Sequence, residues 1–418
     1  MTDLLDLLRE RGFVKEISDE AGLRQALRQP ITLYYGVDPT APSLHVGHLI
    51  GLMALTHFQR AGHRPIVIVG GGTALVGDPS GRTTARALLS KEQVDANLVS
   101  IREQVARFLE LGGSTGAIVL NNADWLLKLG YIEFLRDIGR HFTVGQILQH
   151  ETYRERVSGE GLSVIEFNYV LLQAYDFLHL FREYDCRLQI GGSDQWFNLL
   201  AGVDLIRRAE GATAFGLVWP LLLKSDGTKM GKTESGAIWL SADLTSPYDF
   251  YQYWVNCEDS DVGRLLRLFT FLPLSEIARL ERLPGAEIRE AKQVLAYEMT
   301  RIVHGEAAAD HARAAARALF GREGDLSAAP TVEVAAEELA AGITASHLVA
   351  LAFQEPRAAV KRLIAQGGVT INEVRVSGDP RIDLSWLRDG AILLRVGKKQ
   401  YKRVVPRWEV ARVEGKHD

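Results

Sequence analysis

The first half of the chain alternates short apolar runs with longer segments in which apolar residues recur at helical spacing. A β-rich run over 31–37 is followed by helical spacing over 46–61 and by a second apolar run over 65–69. Further short apolar runs occur over 118–120, 187–190 and 215–223. Runs that alternate with helices form parallel strands covered on both faces. The pattern therefore predicts an α/β fold with a Rossmann-like parallel sheet and ligand-binding loops after the strand ends.

The strand pattern fades from about residue 249. Helical spacing over 261–271 and 286–304 predicts a helical subdomain. Small and polar residues over 321–330 indicate a linker. Beyond it, a helix-like segment and two strand–turn–strand patterns resemble a small RNA-binding module first known from a ribosomal small-subunit protein. The expected segments are a Rossmann-like catalytic domain over 1–240, a helical subdomain over 241–322, a linker over 323–343 and a C-terminal α+β RNA-binding domain over 344–418.

The composition is that of a globular protein from a reducing compartment. Of 418 residues, 47% are hydrophobic and 24% are charged, which is enough to bury a core in two or three domains. Two distant cysteines, Cys186 and Cys257, make neither a disulfide framework nor a zinc cluster. The first twenty residues mix acids and bases, and no run approaches the ~20 apolar residues of a membrane span. We expect a soluble cytoplasmic protein.

Charge is distributed unevenly along the chain. The net charge is −4, yet residues 357–412 contain 13 lysines and arginines against five acidic residues. A basic segment on an acidic chain indicates contact with a polyanion. The alternative is a solvated basic surface without a partner.

A histidine motif follows the first predicted strand. Residues 38–48 read DPTAPSLHVGH and lead into the predicted helix. A helix N-terminus carries unpaired N–H groups and a positive dipole, so it attracts phosphate. His45 and His48 lie three residues apart on one helical face and can donate to phosphate oxygens, while Gly47 lets a ligand approach the backbone. The alternative is a pair of ordinary surface histidines, and a zinc site would need further ligands.

A lysine motif follows the last apolar run of this half. Residues 229–233 read KMGKT in a polar loop. Two flexible cations three residues apart suit a lid that closes over phosphates, although alone they could form an exposed basic turn. A P-loop is excluded, because Asp78 and Pro79 follow Gly72 and Gly77 where lysine and serine or threonine are required. No GxGxxG follows a strand, which argues against a dinucleotide oxidoreductase.

A polar stripe marks one later helical segment. Tyr169, Gln173 and Asp176 lie at i, i+4 and i+7 in a largely apolar stretch, so they share one face. Buried polar groups need partners. The stripe therefore either binds a ligand or satisfies other groups of the protein.

The histidine and lysine motifs together resemble the paired signatures of the class I aminoacyl-tRNA synthetases. With YYGVDPT at 34–40, VGDPSG at 76–81 and QIGGSDQ at 189–195, most of the chain resembles the bacterial tyrosyl-tRNA synthetases. The resemblance implies a cytoplasmic homodimer that activates L-tyrosine with ATP and transfers it to tRNA(Tyr). Mg²⁺ would arrive with ATP, no metal site would be built into the protein, and the helical subdomain would lie on the anticodon side.

Three other interpretations are open. The nearest is a tryptophanyl-tRNA synthetase, against which Tyr34, Asp176 and the C-terminal domain argue. A catalytically inactive synthetase-like RNA-binding protein is disfavoured by the two intact nucleotide motifs. An unrelated nucleotidyltransferase of the same fold would not need the basic C-terminal domain.

The resemblance also implies how tyrosine is bound. Tyr34 and Asp176 would hydrogen-bond its phenolic hydroxyl. The ammonium group would be held by Asp78, Tyr169 and Gln173, and the carboxylate would lie beside Gln195. Either Asn121 or Asn122 would line the same pocket, and the sequence does not decide between them.

Further implied residues serve ATP and tRNA. The nucleotide site would comprise Gly36, Asp38, Gly47, Gly192, Asp194 and Lys232. The residues that act in catalysis would be Thr40, His45, His48, Arg82, Arg86, Lys229 and Lys232, with Arg82 at a position where the family often has lysine. The tRNA contacts would be Lys361, Arg362, Arg375, Lys398, Lys399 and Lys402.

Overall fold

The computed structural model describes residues 3–80, 90–158, 161–223, 230–233, 236–320, 331–397 and 400–408. The chain divides into two compact units. One comprises the residues up to 245 together with 253–304, and the other comprises 246–252 together with the residues from 305 onward. Among the described helices, none combines the length and the apolar character that crossing a membrane requires.

A six-stranded sheet forms the centre of the first unit. Its strands are β1 (Glu16–Ile17), β2 (Thr32–Val37), β3 (Arg64–Val69), β4 (Ile118–Asn121), β5 (Cys186–Gly192) and β6 (Phe215–Trp219). They lie in the order β1-β6-β5-β2-β3-β4, and all neighbours are parallel except β1, which pairs antiparallel with β6. The predicted α/β fold with a parallel sheet is confirmed. The strand order reverses between β2 and β5, where a crevice opens at the carboxyl ends of the strands.

Helices flank this sheet. Those described before residue 211 are α1 (Leu4–Arg11), α2 (Glu20–Ala26), α3 (Val46–Arg60), α4 (Lys91–Val105), α5 (Ala123–Leu126), α6 (Tyr131–Asp137), α7 (Val144–Gln149), α8 (Glu151–Ser158), α9 (Val164–Tyr184) and α10 (Trp196–Glu210). In α3, every residue from 49 to 58 is buried, so this helix lies inside the unit and not on its surface. Its N-terminus follows the end of β2 and therefore faces the crevice.

The start and end of α9 are set by local chemistry. The Ser163 hydroxyl and the Glu166 carboxylate form a capping box that satisfies free N–H groups of the first turn. Asp185 ends the helix in the left-handed conformation, with φ of 49°. The polar stripe predicted for this segment is thereby held on a single straight helix beside the sheet.

The region predicted as a helical subdomain over 241–322 is mainly helical, and its helices are divided between the two units. Its helices are α11 (Pro247–Val255), α12 (Val262–Phe269), α13 (Leu274–Glu281), α14 (Ile288–His304) and α15 (Glu306–Phe320). Helix α12 packs against α1 and α3, whereas α15 belongs to the second unit. The amphipathic pattern that marks each helix does not reveal which core its apolar face joins.

The second unit contains a five-stranded sheet in the order β12-β11-β14-β15-β9. Its elements are β9 (Thr331–Ala335), α16 (Ala336–Ala341), β10 (Ile343–Thr344), α17 (Ala345–Phe353), α18 (Arg357–Ala365), β11 (Val369–Ile371), β12 (Val374–Arg375), β13 (Arg381–Ile382), β14 (Ile392–Val396) and β15 (Gln400–Arg407). The two predicted strand–turn–strand patterns become β11–β12 and β14–β15. Asn372 and Glu373, with φ of 48° and 67°, make the tight turn of the first pair.

The predicted linker over 323–343 contains regular structure from residue 331 onward. Strand β9 pairs in parallel with β15, from Thr331 opposite Arg403 to Ala335 opposite Arg407. Val334 and Leu339 are buried in the core of this domain. The C-terminal domain therefore begins before residue 344, because its edge strand comes from the segment that composition alone assigns to a linker.

A buried arginine stabilises the contact between α1 and the end of α12. The Arg11 guanidinium is 6% exposed and donates to the carbonyl oxygens of Arg267, Thr270 and Leu272, at 3.1, 2.8 and 2.7 Å. These carbonyls belong to the last turn of α12 and the residues just after it, where backbone acceptors lack helical partners. The cationic side chain thus satisfies a helix end that would otherwise be costly to bury.

We expect Arg11→Met to lower the free energy of unfolding of the chain by about 2–4 kcal/mol, because it leaves buried carbonyl groups without donors. Equilibrium urea denaturation monitored by tryptophan fluorescence measures the change. Arg9→Met is the matched control, since Arg9 lies on the same helix and forms an exposed pair with Glu20. Equal changes in the two variants would contradict the role given to Arg11.

Candidate active site

A cavity of about 650 Å³ opens at the reversal point of the sheet. Its walls come from the ends of β2, β3, β5 and β6, the start of α3 and one face of α9. Fourteen residues predicted to bind tyrosine or ATP line it together: Tyr34, Gly36, Asp38, Thr40, His45, Gly47, His48, Asp78, Tyr169, Gln173, Asp176, Gly192, Asp194 and Gln195. Residues that range from Tyr34 to Gln195 in the sequence share one cavity because they occupy strand ends and the helices that follow them.

Asp176 lies deep in the cavity with its carboxylate held from two sides. Asn122 Nδ2 donates to Oδ2 at 2.9 Å and Trp125 Nε1 donates to Oδ1 at 2.7 Å. Burial raises the pKa of Asp176 to about 7. The hydrogen bonds from Asn122 and Trp125 stabilise the anion and lower the pKa, but their effect is smaller than that of burial. The carboxyl group therefore takes up a proton much more readily than an exposed aspartate, and it can accept a further hydrogen bond when it is charged.

The hydroxyl group of Tyr34 has no hydrogen-bond partner among the described residues, although it is buried. Burial raises the pKa of Tyr34, and the nearby Asp176 carboxylate adds to the increase. The phenol is therefore neutral and keeps its proton. A buried hydroxyl without a partner costs free energy, and a ligand group with both donor and acceptor capacity, placed between Tyr34 and Asp176, would remove that cost.

Asn122, and not Asn121, lines the cavity. Its amide accepts from the backbone of Gly72 at 2.7 Å and donates to Thr73 Oγ1 at 3.0 Å, in addition to its bond with Asp176. The Asn121 side chain instead accepts from the backbone of Ala123 and forms a local turn. The sequence leaves open which of the two asparagines lines the cavity, and the structure distinguishes them because these adjacent side chains at the end of β4 point in different directions.

Above Asp176, two further carboxylates are tied into polar networks. Asp38 accepts from Thr73 Oγ1 at 2.8 Å and from the hydroxyl of Tyr169 at 3.2 Å. Asp78 accepts from Gln195 Nε2 at 2.7 Å and from the backbone of Ser80 at 2.8 Å. Anions held beside neutral donors form a site for a cation such as an ammonium group.

Some residues at or behind the cavity wall are absent from the sequence prediction. The buried Asn198 donates from Nδ2 to Gln173 Oε1 at 3.1 Å and to Gln195 Oε1 at 3.2 Å, and so orients two amides that line the cavity. Gln189 lines the cavity, and its buried Oε1 has no partner among the described residues. Gln189 is the first residue of the segment QIGGSDQ, so this motif could have identified it from the sequence. The contacts of Asn198 and Thr73 form only on folding, and no sequence motif marks them.

The histidine motif caps α3. His45 Nδ1 accepts from the backbone of Gly47 at 3.0 Å, and His48 Nδ1 accepts from the backbone of His45 at 3.1 Å. Because each Nδ1 is an acceptor, each neutral ring carries its proton on Nε2 and can donate from that atom. A Cβ on Gly47 would lie 2.8 Å from Cε1 of His45, so only glycine fits there. Two Nε2–H donors at the positive end of the α3 dipole can bind phosphate oxygens.

The lysine motif is anchored beside this helix start. Met230 lines the cavity, and Gly231 has φ of 84°, a conformation that favours glycine. A Cβ on Gly231 would lie 3.2 Å from Cβ of Val46 and 3.3 Å from the backbone nitrogen of Gly47. The two motifs, far apart in sequence, therefore lie in contact.

Some predicted residues lie outside the described part of the chain. These are Arg82, Arg86, Lys229, Lys398 and Lys399. Lys232 lies in the short strand β7 (Lys232–Thr233), which pairs with β8 (Gly236–Ala237) before α11, and its side chain is outside the described part. The roles implied for these residues remain predictions.

The predicted tRNA contacts divide into two groups. Lys361 and Arg362 are exposed on α18, and Arg375 is exposed on β12 with its Nε bonded to the carbonyl of Gly367 at 2.8 Å. Lys402 differs, because its side chain is 15% exposed and its Nζ lies 2.9 Å from the Asp249 carboxylate. Lys402 therefore forms an ion pair within the second unit, and its contact with tRNA stays a prediction.

A parallel sheet that carries HVGH at a helix start, with KMGKT beside it, defines the catalytic domain of a class I aminoacyl-tRNA synthetase. The model of the family "tRNA synthetases class I (W and Y)" matches residues 25–321, and the chain belongs to this family. Within the described residues there is no group of three or more His, Cys, Asp and Glu side chains that could hold a metal ion.

Relatives that match this chain over almost its whole length are tyrosine–tRNA ligases. Tyrosine–tRNA ligase of Caldanaerobacter subterraneus subsp. tengcongensis is 50% identical over 408 residues, which cover 96% of this chain and 99% of the relative. That of Desulfosudis oleivorans is 50% identical over 431 aligned positions, with 97% and 99% covered. A C-terminally truncated mitochondrial tyrosyl-tRNA synthetase of Aspergillus nidulans superposes with a TM-score of 0.69 at 32% identity, covering 77% of this chain and 95% of that one.

The raised pKa of Asp176 predicts a pH-dependent stability. An exposed aspartate has a pKa of 3.8, so the unfolded chain ionises first, and folding favours the protonated acid. Ionisation of the buried Asp176 carboxyl group destabilises the folded chain. This loss of stability is absent below about pH 4, grows as the pH rises and is complete above about pH 7. Compared with Asp176→Asn, the wild-type chain should therefore lose free energy of unfolding between pH 4.5 and 8, as measured by urea denaturation at each pH.

The control for this series is Asp95→Asn, at an exposed position of α4. Its stability should follow the wild-type pH profile throughout. Parallel profiles for wild type and Asp176→Asn would show that the buried carboxyl group does not titrate in this range.

Proposed function

We propose that this chain is a tyrosine–tRNA ligase. It activates L-tyrosine with ATP to give tyrosyl-adenylate and pyrophosphate, and then transfers tyrosine to the 3′ end of tRNA(Tyr). The observation that carries the amino-acid assignment is the pair formed by the unpartnered Tyr34 hydroxyl and the buried Asp176 carboxylate at the bottom of the cavity. Two relatives of almost equal length, both tyrosine–tRNA ligases, support the same assignment.

Tyrosine enters with its ring toward the bottom of the cavity. Its hydroxyl donates to Asp176 and accepts from Tyr34, which satisfies two buried groups at once. Its ammonium group binds at Asp78, with Tyr169 and Gln173 as neutral partners. Gln195, already bonded to Asp78, lies beside the substrate carboxylate. Phenylalanine fits the same space but leaves Tyr34 and Asp176 without their partner, so it is rejected.

Activation is an in-line attack of the tyrosine carboxylate on the α-phosphorus of ATP. The nucleophile is already an anion, so the protein needs no base and acts by positioning and by stabilising charge. ATP arrives with Mg²⁺, and Thr40 and His45 bind its γ-phosphate. His48 lies at the nucleotide ribose, with Asp38 and Asp194 nearby and the glycines Gly36, Gly47 and Gly192 allowing close approach.

The leaving pyrophosphate requires positive charge that closes over it. Lys229 and Lys232 of the lysine motif provide that charge, with Arg82 and Arg86 as further donors. The contact between Gly231 and Gly47 supports this role, because it brings the motif to the helix start that binds phosphate. In the second step, the terminal hydroxyl of tRNA attacks the mixed anhydride and releases AMP.

The C-terminal domain binds tRNA through phosphates. Lys361, Arg362 and Arg375 are exposed cations on its described surface, and Lys398 and Lys399 are further candidates by sequence. A shape-reading domain needs no base-specific motif. A cytoplasmic location belongs to the same proposal, and its support is that the full-length relatives are bacterial tyrosine–tRNA ligases.

The working enzyme is a homodimer of this chain. Of fourteen large apolar side chains exposed in the described residues, eight fall between 127 and 165, including Tyr131 and Ile132 on α6 and Val164 at the start of α9. Exposed apolar side chains concentrated in one region are typical of a protein interface. A second copy of the chain would cover them.

ATP–pyrophosphate exchange with tyrosine, tryptophan and phenylalanine in parallel tests the activation reaction. We expect exchange that depends on tyrosine, none with tryptophan, and a preference over phenylalanine of about 10⁵, which is the factor typical of this enzyme class. Tyr34→Phe should weaken the preference for tyrosine. Absence of exchange with every amino acid, from a folded chain that binds tRNA, would instead identify an inactive RNA-binding relative.

Salt dependence tests the proposed tRNA surface. The double substitution Lys361→Ala and Arg362→Ala should weaken tRNA binding and reduce the slope of log K against log salt by roughly 1.5, because two phosphate contacts are lost. Tyrosine-dependent exchange should not change, since it needs no tRNA. Arg9→Ala, an exposed arginine of the first unit, is the control; an equal loss of slope there would contradict a specific role for α18.

A further inference from the structure

Gly231, the central residue of the lysine motif, is hydrogen-bonded through both its N–H and its carbonyl group. The N–H of Gly231 donates to the hydroxyl oxygen of Tyr253 at 3.0 Å. The carbonyl of Gly231 accepts from the N–H of Ile238 at 3.0 Å, and the carbonyl of Ile238 accepts from the N–H of Val46 at 3.0 Å. A continuous set of bonds thus runs from the Tyr253 side chain, through the lysine motif, to the first turn of α3.

The position of Gly231 determines where the cationic side chains of the motif begin. Lys232 follows directly, and Gly231 itself touches Val46 and Gly47 at the helix start. Gly231 has a left-handed backbone conformation. Because glycine has no Cβ, many other φ and ψ angles are also accessible to it. A residue that is conformationally permissive needs external bonds if its peptide is to stay in one orientation.

Tyr253 supplies one of these bonds from a well-packed side chain. Its ring packs edge-on against Trp254, with centroids 5.1 Å apart. Burial raises the pKa of Tyr253 to about 12, so its hydroxyl is neutral at the pH of translation. Removal of the hydroxyl alone would leave the ring packing in place and would leave the Gly231 N–H without its acceptor.

We propose that Tyr253 is a positioning residue for the activation step, which holds the Gly231 peptide so that the lysines of the motif reach the leaving pyrophosphate. The inference rests on the proposed function. Tyr253 touches no substrate and acts only through Gly231. Its influence is therefore restricted to the step in which pyrophosphate leaves, and it does not extend to tyrosine binding or to transfer of tyrosine to tRNA.

The variant that tests this inference is Tyr253→Phe. The single-turnover rate of tyrosyl-adenylate formation should fall by about three- to tenfold, the effect of one lost hydrogen bond. The dissociation constant for tyrosine and the rate of transfer from preformed adenylate to tRNA should stay within twofold of the wild-type values. Hydrogen exchange of peptides containing Gly231 should become faster, which reports the lost bond independently of activity.

Tyr248→Phe is the matched control. Tyr248 lies on the same helix, and its hydroxyl is buried without a partner among the described residues, so its removal should leave the rate of adenylate formation unchanged. An unchanged rate in Tyr253→Phe, or an equal fall in Tyr248→Phe, would overturn the inference. So would a parallel loss of tyrosine affinity. Absence of tyrosine-dependent exchange in the wild-type chain would refute the proposed function itself, which separates the two failures.

Discussion

The reversal of strand order between β2 and β5 is the constraint on which the site depends. The two strands are parallel neighbours, yet the connections that follow them lead to opposite sides of the sheet. Because the two connections diverge, neither covers the carboxyl ends of both strands, and a crevice remains there. Every predicted site residue that the structure describes in the first unit either lines this crevice or, like Lys232, lies in the hairpin beside it.

The crevice is divided electrostatically into two regions. The carboxylates of Asp78 and Asp176 lie beside neutral donors, where an ammonium group and a phenol can be accommodated. The start of α3 and the imidazoles of His45 and His48 line another part of the same cavity, where the proposed function puts the phosphates. A triphosphate placed beside the two carboxylates would face like charge, so the charge pattern orients the two substrates before any closure of the lid.

The sequence was most informative where chemistry and local structure coincide. Apolar runs located β2 to β6, and motif spacing brought His45, His48 and the stripe on α9 to one cavity. It was least informative where a partner lies far along the chain. Asn122 bonds to Asp176 over 54 positions, and Lys402 pairs with Asp249 over 153, so neither contact leaves a local pattern. Strand β1, with two residues, is too short for periodicity to detect, and β9 directly follows a run of small and polar residues that by composition predicts a linker.

The position of β15 in its sheet also bears on how the second unit can be shortened. This strand lies between β14 and β9, so it is an interior strand of the sheet and not an edge. Within the described residues, β9 pairs with β15 and with no other strand. Removal of residues 400–407 would therefore release β9 as well, and the five-stranded sheet would lose two strands through one truncation.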